Sequence, residues 1–250
     1  MESPASQKAV RPGEGDEGQV RATDYLQSPE VLHGTRAGLL SPEVLNSLCM
    51  LGEVAKLKDD NTGAHIERMG ICAAGVARVL GLSDLQCELM RYTAPLHDIG
   101  KVGVPDYIIN KPGALDAAQL GMMRQHPWLG YRLLKLSQSL ALRLAGEISL
   151  SHHERWDGGG YPLGSAGEAI PLSGRIVAVA DVFDALTSER PYKRAWSREE
   201  ALQFVIENAG AHFDPRVAAA LGEYVCGRDE VTVGSAAQHS AAGRAPNRAR

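Results

Sequence analysis

Cysteine is scarce in this chain: of 250 residues only 4 are Cys (Cys49, Cys72, Cys87 and Cys226), and no two stand in a CxxC spacing. A disulfide framework and a zinc-finger site are thereby set aside, and the three cysteines that sit among helical apolar residues read as reduced core thiols of a cytoplasmic protein. Long hydrophobic runs are missing too. The stretch Ile176 to Ala180 is far short of the roughly 18 apolar residues a membrane span needs. The N-terminal MESPASQKAVRPGEGDEG lacks the apolar stretch of a secretory signal. An excess of positive charge is also absent, because Lys+Arg 26 against Asp+Glu 30 leaves a net charge of -4. No global cationic field drives binding to nucleic acid or membrane, and any nucleotide site must be locally basic. Alternating strand patterns are rare, and the two extended candidates, Val102 to Ile109 and Ile170 to Leu172, are short and bounded by proline.

What is present is enough apolar material, 44%, to build a real core. Residues 1 to about 27 are rich in Gly, Pro, Ser and charge and predict a flexible segment. The stretch from residue 228, which ends on Arg244, Arg248 and Arg250, predicts a flexible tail with a weakly basic tip. The pentapeptide SPEVL occurs at Ser28 to Leu32 and again at Ser41 to Leu45, each time with Ser at an N-cap and Pro at the first helical position. The first copy is interrupted by Gly34. The second opens an amphipathic helix with Leu45, Leu48, Val54 and Leu57 on its apolar face. The expected division is therefore a flexible segment 1–40, a folded domain 41–227 and a disordered tail 228–250. About 40 residues stand ahead of the domain, fewer than a sensory domain is expected to need, and the regulatory input is open.

Helical periodicity recurs over Ile66 to Leu80, Ser83 to Leu96, Asp116 to Gln125, Trp128 to Ser137, Leu142 to His153, Arg175 to Thr187, Ser197 to Asn208 and Pro215 to Cys226. Ser83 stands as a cap, and Ser197 with Glu200 forms a capping box. The expected class is all-α.

Chemistry concentrates on histidine. Of 8 His, those at 65, 97, 126, 152 and 153 fall at helix ends or loops, and His97, His152 and His153 stand beside an acid or another histidine. His97 and Asp98 are adjacent, and Asp181 and Asp184 stand one helical turn apart in VAVADVFDAL. Imidazole and carboxylate without thiolate suit Fe, Mn or Zn at a hydrolytic centre. Two cations about 3.5–4 Å apart can hold a hydroxide between them and polarise a phosphoryl oxygen, the usual arrangement for cleaving phosphodiesters.

Three motifs now carry a resemblance: HDIGK at His97 to Lys101, HHERWDGGGYP at His152 to Pro162 and VADVFDALTSERPYK at Val179 to Lys193. Together they resemble the HD-GYP family, a helical branch of the HD phosphohydrolases whose members hydrolyse the bacterial second messenger cyclic di-GMP, and the likeness runs from about Leu51 to Leu221. It implies a compact multi-helix HD-type bundle and a metal-dependent phosphodiesterase that opens cyclic di-GMP to linear pGpG, with GMP as a later product. His97, Asp98 and Lys101 are the implied catalytic residues. The implied metal ligands are His65, His97, Asp98, His126, His152, His153 and Asp181, with Asp98 bridging, His126, His152 and His153 on one cation and His65 and Asp181 on the other side. The implied substrate contacts are Lys101, Arg190 and Lys193 for phosphate, with Gly160 and Tyr161 on a loop that also docks partner signalling proteins.

One position departs from the family pattern. Many members carry Glu four residues before the histidine matched by His65, where this chain has Asn61. An amide is a poor cation ligand beside a carboxylate, so two divalent ions, iron or manganese, are favoured over three. Alternatives stay open: hydrolysis of another cyclic dinucleotide, or a weakly active or inactive signalling module that binds nucleotide or partner proteins. The helix Pro42 to Leu57 could pair with its copy in a homodimer or pack on its own domain. Partners from nucleic acid or membrane are not expected.

Overall fold

The computed structural model describes residues 23–58, 63–189 and 194–227, which leaves Asn61, Arg190, Lys193 and both expected tails outside the described residues. The described chain is all-α. Its helices run α1 Pro29–Leu32, α2 Arg36–Leu39, α3 Pro42–Lys58, α4 Gly63–Val79, α5 Asp84–Thr93, α6 Asp106–Ile109, α7 Ala117–Met123, α8 His126–Leu134, α9 Leu140–Ser151, α10 Leu172–Thr187 and α11 Arg198–Glu207. A closing helix, α12, spans 215–227. No strand occurs among the described residues, only an isolated bridge between Ala209 and Phe213. The expected extended piece at 102–109 is instead the end of a tight 3-10 turn, Ile99–Gly103, followed by α6.

Local signals set most of the helix starts. Capping boxes close the N-termini of α5 (Ser83 with Gln86), α7 (Asp116 with Gln119) and α11 (Ser197 with Glu200). α9 and α10 are apolar on nearly every side, as central helices must be. Leu144 to Ser151 of α9 and Ile176 to Ala180 of α10 are buried without interruption. They pack on each other, with α8 against α9 and α4 against α10.

The core extends further upstream than the boundary expected at residue 40. Leu26, Val31 and Leu40 are at most 1% exposed and belong to the main apolar cluster. Each lies in or beside a helix of a single turn, too short for a 3.6-residue period to be read from sequence. α3 turns only part of the expected face inward, Leu48 and the half-buried Leu45 but not Val54 or Leu57. Leu48, Gly52 and Ala55 are buried, whereas Val54 is 45% and Leu57 88% exposed. Of the cysteines, Cys72 and Cys87 are core thiols, and Cys49 and Cys226 are exposed.

The upstream segment is tied down by a buried carboxyl. Glu147 on α9 is 2% exposed; its Oε2 accepts from Tyr25 N–H at 2.7 Å and its Oε1 from the Ser173 hydroxyl at 2.5 Å. Asp24 Oδ2 accepts from Leu172 N–H at the start of α10, 3.2 Å away. Burial outweighs these bonds and pushes the Glu147 carboxyl up to about 8. A raised folded-state value means that stability is greatest while both states are protonated. It is lost as pH rises from about 4.5, where the unfolded chain ionises, to about 8, where the native carboxyl follows. Gln at 147 keeps the acceptor for Tyr25 and removes the titration. We expect Glu147→Gln to gain roughly 3–5 kcal/mol on the native protein between pH 5 and pH 8.5, read by denaturant melts at both pH values. Parallel pH dependence in the two proteins would contradict a protonated Glu147.

Candidate metal centre

Asp98 stands at the middle of the site. It leaves the 3-10 turn Ala94–Leu96 in the sequence His97, Asp98, and then leads the second turn, Ile99–Gly103. Its two oxygens face different neighbours. Oδ1 is 3.1 Å from His126 Nε2 and 3.8 Å from His152 Nε2, while Oδ2 is 3.4 Å from His97 Nε2 and 2.7 Å from Lys101 Nζ. His126 begins α8, His152 caps the end of α9 with His153 next to it, His65 lies in the first turn of α4, and Asp181 projects from mid-α10. The site therefore collects ligand-type groups from five separate parts of the chain.

Two groups emerge that could each hold a cation: Asp98, His126, His152 and His153, and His65, His97 and Asp181, with the candidate atoms of each group within 4.8 Å of one another. His65 and His97 of the second group, together with Asp98 of the first, line a narrow cleft with Lys101, Ala55, Ile66 and Pro95. Asp181 Oδ1 lies 3.8 Å from both His65 Nε2 and His97 Nε2.

The imidazoles are set with their Nε2 atoms inward. Nδ1 donates to the Ala94 carbonyl from His97 at 3.0 Å, to the Met123 carbonyl from His126 at 2.8 Å and to the Ser149 carbonyl from His152 at 2.9 Å. His65 Nδ1 meets the Asp184 carboxylate at 2.5 Å, and Asp184 is gripped in turn by Arg68 Nε at 2.7 Å. A ring whose Nδ1–H is committed to an acceptor keeps the Nε2 lone pair for a metal, the usual role of an outer partner. Two observations fit a cation here. His97 Nε2 is buried without a hydrogen-bond partner. His126 Nε2 and His152 Nε2 face each other at 3.4 Å, although both rings spend their Nδ1 proton elsewhere; two opposed lone pairs need a positive centre between or beside them.

Proton affinities diverge sharply across the cluster. Burial lowers His97, but the Asp98 and Asp181 carboxylates outweigh it and raise it to about 9, so in the metal-free protein a proton sits where positive charge is wanted. Burial, then His153, His97 and His126, hold His152 well below its ordinary value. Burial and His126 bring His153 down to about 3. Asp98 is held well below the carboxylate range despite burial, by Lys101 and His97. This spread of affinities in a cleft is a mark of a functional site.

The glycine loop after α9 folds back on the histidines. Gly158 has a φ of +78°, open to glycine and strained for other residues. A Cβ on Gly160 would come within 2.4 Å of Arg155 N and 2.5 Å of Glu154 Cα, so only glycine lets the loop press on that backbone. Glu154, 2% exposed, pins the far side by accepting from Leu163 N–H at 2.7 Å and Ser165 N–H at 3.0 Å. Tyr161 is thereby laid on His153, their rings stacked at 4.8 Å and 25°.

Sequence reasoning named Asp184 only for its spacing from Asp181 and passed over the other supporting residues. Arg68 and Asp184 orient His65, Ser149 donates to the His97 carbonyl at 2.8 Å, and Arg124 lies 5.1 Å from the Tyr161 ring centre. Only Asp184 had a local signal, its one-turn spacing from Asp181.

A helical bundle that gathers histidines and aspartates around an adjacent His-Asp pair defines a metal-centre protein of the HD type. The model of the HD domain family matches residues 50–217. The chain belongs to that family, and its His97–Lys101 and Gly158–Pro162 motifs place it in the HD-GYP branch. It is 46% identical over 188 residues to a cyclic di-GMP phosphodiesterase response regulator of Xanthomonas campestris, covering 73% of this chain and 50% of that protein. It is also 46% identical to a cyclic di-GMP phosphodiesterase of Thermotoga maritima, over 70% of this chain and 47% of the relative. A 3′3′-cGAMP-specific phosphodiesterase of Vibrio cholerae is 39% identical over 70% of this chain and 33% of its own length. The chain thus spans about half or less of the relatives it matches. Among solved structures, a cyclic GMP-AMP specific phosphodiesterase of Vibrio cholerae superposes with a TM-score of 0.52 at 23% identity, covering 72% of this chain and 48% of that one, which supports the fold. No described helix is long and apolar enough to cross a membrane.

Proposed function

We propose that this domain is a metal-dependent phosphodiesterase that hydrolyses cyclic di-GMP to linear pGpG, with GMP as a later product. The observation that carries the reading is Asp98, whose two oxygens face two different nests of imidazole nitrogen. Asp98 would bridge two divalent ions, with His126, His152 and His153 on one and His65, His97 and Asp181 on the other. Imidazole and carboxylate together favour iron or manganese. When bound, such ions supply Lewis acidity and a water acidic enough to ionise near neutral pH.

The remaining work falls to side chains of this chain. Asp184 and the backbone carbonyls fix the ring tautomers. Lys101 Nζ, 2.7 Å from Asp98, would meet a phosphate oxygen and give a proton to the leaving ribose oxygen. Arg190 and Lys193 would clamp the second phosphate, and Gly160 and Tyr161 would line the substrate side of the cleft, on a loop that also offers a surface to partner signalling proteins. A homodimer through the outward Met50, Val54 and Leu57 of α3 belongs to the same reading.

The names of two relatives point to cyclic di-GMP, and a third relative, named for 3′3′-cGAMP, supports a second reading as hydrolase of a mixed cyclic dinucleotide. The test is incubation of the chain, loaded anaerobically with Fe(II) or Mn(II), with each cyclic dinucleotide, following pGpG, GMP and the linear mixed product by chromatography. Metal-dependent pGpG is the expected outcome. Turnover of 3′3′-cGAMP alone would transfer the assignment to the second reading. Metal retention without any product would leave a binding module in place of an enzyme.

A further inference from the structure

His65, His97, His126 and His152 are each oriented by a hydrogen bond through Nδ1. His153 differs, for none of the hydrogen bonds among the described residues reaches its ring. What holds it is contact between rings: His152 lies 4.0 Å away, tilted by 40°, and His126 5.0 Å away, edge-on. The Tyr161 ring lies against it at 4.8 Å and 25°, and the Arg124 guanidinium carbon sits 5.1 Å from the centre of the Tyr161 ring. Both supports are themselves placed by the site. Tyr161 N–H donates to the His153 carbonyl at 3.2 Å. Arg124 caps the C-terminus of α7, two positions before His126.

A histidine beside a metal must present one ring edge, and free rotation about its last torsion would sweep that edge away. A near-parallel aromatic neighbour restricts that torsion by contact area, and a cation over the outer ring holds that ring in turn. We propose that Arg124 and Tyr161 are positioning residues that fix the His153 ring toward Asp98, His126 and His152, replacing the Nδ1 hydrogen bond the other four rings have. This rests on the reading of that cluster as a metal site, and it assigns a role to a residue, Arg124, that lies outside the ligand set.

The test is a titration of the chelator-treated full chain with Mn(II), following free Mn(II) by electron paramagnetic resonance. The unmodified chain is expected to bind two ions. Tyr161→Leu should weaken one of them by about tenfold and Arg124→Ala by about threefold, the sizes of a lost aromatic stack and a lost exposed cation–π contact. Tyr161→Phe and Arg124→Lys, which keep ring and charge, should restore binding. At saturating Mn(II), the Arg124→Ala protein should keep the unmodified KM. Unchanged Mn(II) affinity in both Tyr161→Leu and Arg124→Ala would overturn the proposal, as would a raised KM with unchanged affinity in Arg124→Ala, since that would make Arg124 a substrate contact. If the unmodified chain binds no Mn(II), or binds it equally well after His126→Ala, the metal reading of the cluster falls and this inference with it.

Discussion

Asp98→Asn is expected to leave the helical content of the protein intact, to strip it of at least one of two bound metals and to lower turnover by about a thousandfold or more. The substitution keeps shape and removes charge. In the native site Asp98 faces His97, His126, His152 and Lys101 within 3.8 Å, so one carboxylate balances several positive or metal-seeking groups. An amide offers one weak oxygen and an NH2 group, which would either face the Lys101 ammonium or donate to an imidazole Nε2 and occupy the lone pair a metal needs. The His97 imidazolium, raised to about 9 chiefly against its own burial by Asp98, should also lose its proton at lower pH in the variant. Metal analysis with far-UV circular dichroism separates the cases. An Asp98→Asn protein that retains two metals and turns over would sink the bridging role. Lys101→Ala is the companion measurement: because an ammonium has no lone pair to give a metal, the metals should stay while turnover falls.

Much of this site was readable in the chain because its chemistry is local. His97 with Asp98 and His152 with His153 are sequence neighbours at helix ends, and Gly158 to Gly160 have few uses other than a tight return of the backbone. Helix starts with reciprocal caps, such as Ser83 with Gln86, are likewise written within four residues. What was not readable depends on distant partners. Glu147 accepts from Tyr25, separated by 122 positions, and Leu172 N–H donates to Asp24 across 148; such distant bonds help tie residues 23–40 to the core. Arg68 reaches Asp184 across 116 positions, and Arg124 meets Tyr161 through the fold alone. α3 was read only in part for a related reason. Its expected apolar face took in Leu45, Leu48, Val54 and Leu57, and periodicity could not tell that the first two would find a neighbour while Val54 and Leu57 would not. Asn61, Arg190 and Lys193 lie outside the described residues, and their proposed roles rest on the motif resemblance.

Gly100→Ala is expected to be the most damaging single-methyl change near the site. The added Cβ would lie 1.9 Å from the His126 carbonyl oxygen, 2.5 Å from Gly130 N and 2.9 Å from the His126 carbonyl carbon. All three are backbone atoms of α8, so no side chain can rotate aside, and the helix or the 3-10 turn must move as a body. His126 opens that helix, and its Nε2 sits 3.1 Å from Asp98 Oδ1. Displacing the helix start by even about 1 Å would cost on the order of a hundredfold in turnover. Overpacking against backbone should also cost about 2–3 kcal/mol, a fall of roughly 5–10 °C in Tm for a chain of this size. Gly103→Ala is the control from the same turn. Its Cβ would meet only the Leu129 Cδ1 methyl at 2.9 Å, the far end of a flexible side chain that can shift. Calorimetry and metal analysis on the two proteins should therefore diverge, with Gly103→Ala near the unmodified chain and Gly100→Ala losing both melting temperature and metal. Equal Tm and metal content in Gly100→Ala would mean that α8 can yield without carrying His126 away, and that the glycine of the HDIGK motif is not there to admit α8.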